Sequence, residues 1–151
     1  MKICFASSSG GHFQQLMKLK PLMNRFDSFI LTEQTKYQVN VNNHKLYYVS
    51  QIQRKEKLWV FKFFMISFIS LKLFLKEKPD VVISTGVLAT IPMCLIAKLF
   101  RKKIIYIESF AKSDSPTLTG RVMSKIADDI YVQWDSMLKF YKNAKCLGSI
   151  Y

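Results

Sequence analysis

Acidic residues are few, 10 Asp and Glu against 23 Lys and Arg, and so are cysteine (three), proline (four), glycine (five) and histidine (two). Each scarcity excludes something. Cys4, Cys94 and Cys146 are odd in number, far apart and outside any CxxC or Cys/His cluster. That argues against zinc and against a secreted disulfide scaffold, so three reduced core thiols are expected, with no metal and no cofactor. No Gly-Lys-Ser/Thr follows a glycine loop, which rules out a Walker A loop. Ser8 and Phe13 stand where a dinucleotide fingerprint through Gly10 would need glycines, although Glu33 does follow the second strand. No internal repeat, low-complexity tract or long linker divides the chain. The start, MKICFASSSGG, turns directly into a glycine loop without an apolar h-region, so no signal peptide is expected and the cytoplasmic side is the expected location.

The 151 residues suffice for one domain, and a composition that is 50% hydrophobic and 22% charged excludes wholesale disorder. A net charge of +13 calls for an anionic partner, of which nucleic acid and the inner membrane surface are the obvious candidates. The basic clusters Arg54-Lys55-Glu56-Lys57 and Arg101-Lys102-Lys103 each abut a hydrophobic segment, where lysines facing anionic lipid are useful. Interleaved aromatics of RNA-binding modules are absent, which puts nucleic acid behind the membrane.

Short apolar runs at Lys2–Phe5, Ser28–Leu31, Leu46–Val49, Val81–Ile83, Ile104–Ile107 and Ile130–Val132 read as strands. Helical patterns at His12–Asn24, Lys55–Glu77, Pro92–Phe100 and Thr119–Ala127 fall between them. The alternation predicts a single Rossmann-like α/β domain with a mainly parallel sheet. VVIS and IIYI are apolar enough for strands buried on both faces.

The segment Leu58–Leu75, LWVFKFFMISFISLKLFL, is apolar beyond the stripe of roughly 100° that a sheet-covering helix needs. Lys62 and Lys72 leave only nine residues between them, short of the roughly 20 that span a bilayer. On a helix Lys55, Lys62, Lys72 and Lys76 share about a third of the circumference. A narrow lysine face opposite a broad apolar one suits an interfacial helix, with Trp59, Phe63, Phe64, Ile66 and Phe68 facing membrane or partner. A helix between the sheet and a partner protein is the other reading.

Ligands of parallel α/β sheets bind at the rim made by the carboxyl ends of the strands. That rim collects Ser7–His12, Ser84-Thr85-Gly86, Glu108-Ser109-Phe110 and Gln133-Trp134. Ser9, Gly10 and Gly11 lead into a helix, where close backbone approach and the positive dipole end favour a phosphate. His12 is a candidate general base or a turn residue; Glu108 is a candidate base, a sugar-hydroxyl ligand or half of a salt bridge. Ser84, Thr85, Gly86 and Ser109 are candidate acceptor or phosphate contacts. His44 reads as an ordinary loop residue.

Taken in order, SSSGGHFQQL, PDVVISTGVLATIPMCLIAKLF, IIYIESFAKSDSPTLTGRVMSKIAD, DIYVQWDSM and CLGSIY resemble one family along nearly the whole chain. It is the family of asparagine-linked glycosylation protein fourteen, with its bacterial capsule and exopolysaccharide counterparts. The stretch from Ile107 to Gly120 and YVQW carry most of the specificity, since the glycine loop also matches the related peptidoglycan N-acetylglucosaminyltransferase.

The resemblance implies the amino-terminal, acceptor-side half of a GT-B glycosyltransferase, inactive without its partner. A separate nucleotide-sugar-binding subunit would hold the UDP-sugar. This chain would sit at the membrane, bind a polyprenyl-diphosphate-linked sugar acceptor and recruit the partner. The family's eukaryotic members carry an amino-terminal anchor; a spanning anchor is not expected here, which shifts the expected membrane contact to Leu58–Leu75 and the basic charge. His12 inherits candidacy as the base of an inverting transfer. A scaffold without active-site residues and a basic nucleic-acid binder are the competing functions.

Overall fold

The computed structural model describes residues 1–35, 41, 44–53 and 55–150; Arg54 of the first basic cluster and Asn40, Asn42 and Asn43 beside His44 lie outside them. Seven strands form one sheet: β1 (Lys2–Ala6), β2 (Asp27–Glu33), β3 (Lys45–Val49), β4 (Val81–Ser84), β5 (Lys103–Ile107), β6 (Asp129–Val132) and β7 (Lys145–Cys146). All pair in parallel, in the order β3-β2-β1-β4-β5-β6-β7. The six expected strands are all present, each within two residues of its expected ends. The order reverses between β1 and β4, where a parallel sheet opens a crevice for ligand.

Alternation along β1 decides the two cores. Cys4 and Ala6 point to the side covered by α3 (Trp59–Glu77), α4 (Ile91–Leu99) and α5 (Leu118–Ile126), and pack with Ile66, Leu73, Phe74, Met93 and Met123. Ile3 and Phe5 point to the side of α1 (Gly11–Met17) and α2 (Lys20–Arg25), and pack with Phe13, Leu16 and Met23. On this second side no helix covers β5 and β6 among the described residues. Ile105, Ile107 and Tyr131 instead floor an apolar groove of about 270 Å³, walled by Leu19 and Leu22 at α2 and by the stretch Leu147–Ile150. Ile105 is therefore half-buried, and β5 is not sealed on both faces as its composition suggested.

Three helical expectations change. The segment His12–Asn24 is two helices, broken at Lys18-Leu19, because Pro21 has no N–H and its ring would meet the carbonyl of Met17 in a continuous helix. The long helix starts at Trp59, so Lys55 precedes it and only Lys62, Lys72 and Lys76 remain on it. Ile66 is wholly buried in the core and does not face membrane or partner. Phe63 is half-buried against the same core. Trp59, Phe64 and Phe68 keep their outward places, 37%, 67% and 59% exposed.

Glu77, at the end of α3, ties that helix to the edge of the sheet. It accepts from Lys2 Nζ (2.8 Å) and the Tyr47 hydroxyl (2.6 Å), with Lys45 Nζ at 3.5 Å. The hydrogen bonds from Lys2 and Tyr47 lower its pKa to about 2 against their opposing burial penalty. A depressed folded-state pKa gives stability that is complete above the unfolded value and is lost as pH falls through the folded one. Glu77→Gln should therefore cost on the order of 2 kcal/mol at pH 7 and only about a few tenths of that at pH 2, measured by urea unfolding at both. An equal loss at both pH values would assign the effect to packing alone.

Candidate functional site

The switch between β1 and β4 is closed by a reciprocal clasp. His12, in the first turn of α1, donates from Nδ1 to the Thr85 carbonyl at 2.9 Å. The Thr85 hydroxyl donates back to the His12 carbonyl at 3.2 Å, and Thr85 N to the Ala6 carbonyl at 3.1 Å. A carbonyl only accepts, so Nδ1 carries a proton, and Nε2 is the ring nitrogen left to exchange one. Nε2 has no protein partner among the described residues, and the ring is half-buried.

Below the ring lies Gly86 at φ +111°, where an added Cβ would stand 3.6 Å from His12 Cε1. Val87 follows at φ +85°, a strained conformation for a β-branched residue. The Thr90 hydroxyl braces the turn, within reach of the Gly86 and Val87 carbonyls (3.1 and 2.9 Å) and of Ser84 Oγ (2.9 Å). Ser84 and Thr85 are wholly buried, with both hydroxyls spent inside the protein. They shape the crevice wall and offer a ligand no side-chain contact.

The preceding loop is different in kind. Gly10 stands at φ +74°, which explains a glycine there. Gly11 has no such conformation, and a Cβ on it would meet nothing within 4 Å. Among the described residues, neither a positive φ nor a neighbouring atom requires glycine at this helix start. Ser9 is half-buried beside it, with its carbonyl accepting from the Ser8 hydroxyl at 3.1 Å.

Glu108 reaches the rim, but its carboxyl group turns inward and is 1% exposed. It accepts from the Tyr106 hydroxyl (3.0 Å), Ser109 N (2.8 Å), Thr117 N (3.2 Å), the Thr117 hydroxyl (3.1 Å) and the Tyr141 hydroxyl. Burial pushes both tyrosines above their ordinary pKa, which keeps their hydroxyls as donors. A group so enclosed cannot meet an acceptor hydroxyl, and the reading of Glu108 as a base is corrected to a positioning role. It fixes Thr117, which caps α5 by accepting from Gly120 N at 2.8 Å. It also fixes Ser109, itself buried.

Two glutamines connect these loops. Gln15, one turn after His12, donates to the Glu108 carbonyl (3.2 Å) and accepts from Phe110 N (3.3 Å). Gln133 donates to the same carbonyl at 2.9 Å and accepts from Ile150 N at 3.2 Å. Gln15 is absent from the expected site; its one legible signal is a polar residue on the core-facing stripe of α1. Among the described residues no group of three His, Cys, Asp or Glu could hold a metal ion. The carboxyl of Glu33 is buried at the end of β2, accepts from Ile52 N at 3.3 Å, and has its pKa raised by that burial.

The all-parallel sheet with its crevice at the β1/β4 switch has the fold of the amino-terminal half of GT-B glycosyltransferases. MurG of Acinetobacter baumannii superposes over 100% of this chain with a TM-score of 0.81 at 18% identity, and the UDP-GlcNAc 2-epimerase of Methanocaldococcus jannaschii over 99% with 0.73 at 13%. The chain spans 46% of the length of each. In sequence, residues 23–150 match the family described as "Oligosaccharide biosynthesis protein Alg14 like", and the chain belongs to that family. The UDP-N-acetylglucosamine transferase subunits ALG14 of Mus musculus and Homo sapiens are 24% and 25% identical, over 99% of this chain and 83% of theirs. The Schizosaccharomyces pombe subunit is 35% identical over 48% of this chain and 37% of its own length.

Proposed function

We propose that this chain is the acceptor-side, membrane-associated subunit of a two-chain, inverting UDP-sugar glycosyltransferase acting in capsule or exopolysaccharide synthesis. The relatives named above are subunits of a UDP-N-acetylglucosamine transferase, and the chain supplies one half of a two-part cleft. A separate subunit binds the nucleotide sugar and closes over the rim. The acceptor is a polyprenyl-diphosphate-linked sugar. Its diphosphate meets the loop Ser9–Gly11 at the start of α1, and Nε2 of His12 takes the proton from the attacking hydroxyl. The acceptor oxygen bonds to the anomeric carbon as the bond to UDP breaks, and UDP leaves with the partner.

The observation that carries this reading is Gly11, a helix-start glycine where an added Cβ would meet nothing within 4 Å among the described residues. Alanine is the better residue within a helix by about 1 kcal/mol, so Gly11→Ala should leave the melting temperature unchanged or higher. Transfer of labelled sugar from UDP-sugars to a lipid-diphosphate acceptor, in membranes holding both chains, should fall at least tenfold. Activity equal to that of the parent, or activity of the partner chain alone, would reduce this subunit to a scaffold.

Membrane contact falls to α3. No helix among the described residues is long and apolar enough to cross a bilayer. The outer face of α3 nevertheless exposes Val60, Phe61, Phe64, Met65 and Phe68, with Lys72 Nζ 4.4 Å from the Phe68 ring centroid and Leu95 and Leu99 of α4 alongside. An apolar stripe edged with lysine suits an anionic lipid surface on the cytoplasmic face. The double change Phe64→Ser and Phe68→Ser should weaken sedimentation with vesicles containing anionic phospholipid roughly tenfold or more. Unchanged sedimentation would remove α3 from the membrane.

A further inference from the structure

Phe110 and Trp134 form an aromatic pair on the rim that the phosphate loop and His12 do not account for. Their ring centroids are 4.9 Å apart at 37°. The indole N–H, the only polar group of the Trp134 side chain, donates to the Phe110 carbonyl at 2.7 Å, yet the residue stays 38% exposed. A tryptophan recruited to fill the core would be covered. This one is fixed in orientation by its own loop partner and shows solvent an apolar ring face with no donor left to offer.

The pair is also fixed relative to His12. Gln15 lies one turn along the same helix as His12, and its side chain accepts from Phe110 N at 3.3 Å while donating to the Glu108 carbonyl. Gln133, next to Trp134, holds that same carbonyl from the other side at 2.9 Å. From the clasp on β1 and β4 to the turn after β5 is about two strand spacings, roughly 10 Å. A pyranose whose reacting hydroxyl lies at His12 sits within that span, and side chains reaching in from the turns after β5 and β6 can meet one of its ring faces.

We propose that Phe110 and Trp134 form a carbohydrate subsite, on which the apolar C–H face of an acceptor pyranose stacks. The inference rests on the acceptor reading above and names where that acceptor's sugar is recognised. A flat ring face bare of donors discriminates by ring shape and by the presence of a sugar, while the diphosphate is held elsewhere. The subsite thus contributes affinity only to acceptors that already carry a saccharide.

The chain has two tryptophans, so Trp59→Phe leaves Trp134 as its sole indole reporter. The complex of both chains, in detergent, with 7-azatryptophan incorporated into this chain alone so that its red-shifted emission is read apart from the partner's indoles, is titrated with a short prenyl diphosphate bearing glucose or N-acetylglucosamine, with the sugarless prenyl diphosphate, and with UDP. The sugar-bearing lipid should quench or shift the Trp134 emission, whereas the sugarless lipid binds without doing so. In the otherwise native chain Trp134→Ala should weaken the sugar-bearing lipid about tenfold and leave the sugarless one unchanged. Trp134→Phe, which keeps a stacking face, should restore most of the difference.

Equal responses to both lipids, a response to UDP alone, or an Ala variant that only dissociates the two chains would overturn the subsite. The acceptor reading fails separately: then neither lipid binds, or Gly11→Ala leaves the binding of the sugarless lipid intact. Sugarless binding that depends on Gly11 while both Trp134 variants behave as the parent sinks the subsite alone.

Discussion

His12→Asn should assemble with its partner as the parent does and transfer sugar about 10²–10⁴-fold more slowly, the usual contribution of a positioned general base. Asparagine is the informative change because its amide nitrogen overlays Nδ1. The hydrogen bond to the Thr85 carbonyl at 2.9 Å survives, and with it the clasp between the β1 and β4 loops. What disappears is Nε2. His12→Ala removes both and should lose the same activity together with some stability. A His12→Asn variant as active as the parent, by labelled-sugar transfer at saturating acceptor, would confine the histidine to a positioning role and leave the proton to the partner chain.

The second large effect is structural. Gly120→Ala should lower stability by about 3 kcal/mol, a fall in melting temperature on the order of 10 °C, because no room exists for a Cβ. That atom would overlap the Tyr141 hydroxyl and Glu108 Oε2. Neither neighbour can retreat without breaking the hydrogen bonds that satisfy the buried carboxyl group, so overpacking and lost polar partners add together. Tyr141→Phe removes the nearer obstacle. In that background Gly120→Ala should cost at least 1 kcal/mol less, a coupling read from a double-mutant cycle. Additive costs would show that the helix α5 moves as a body and that Tyr141 is not the obstacle. Glu108→Ala, which strands the hydroxyls of Tyr106, Thr117 and Tyr141, should be more damaging than Tyr141→Phe.

Those two residues show where sequence reasoning succeeds and where it stops. The parallel sheet was legible because VVIS and IIYI are short, β-branched and flanked by breakers, and their spacing admits a helix between them. The convergence of the His12, Thr85 and Phe110 loops followed from the rule that ligands gather at strand ends. The two-residue strand β7 had no signal of its own; it forms because β6 offers it an edge. Along α3, Phe64 and Ile66 were indistinguishable, since both stripes of that helix are apolar and only the sheet decides which is covered. Glu108 was the instructive case. A carboxyl group at a strand end looks the same whether it faces solvent or turns inward. The residue that discloses its direction is Gly120, twelve positions later, whose missing side chain leaves the space the carboxyl group occupies.

The bridges made by Gln15 and Gln133 have a thermodynamic consequence for assembly. They cross-brace the loops after β1, β5 and β6, so the half-cleft holds its shape before anything docks on it. Ordering loops and side chains on association commonly consumes about 0.5–1.5 kcal/mol for each immobilised side chain. A surface already braced loses little of that freedom, and two such halves can meet as nearly rigid bodies with a modest contact area. On the two-chain reading proposed above, an enzyme divided between two polypeptides would retain the rigidity of a single chain without a covalent connection, and its activity would follow the concentration of whichever half is scarcer.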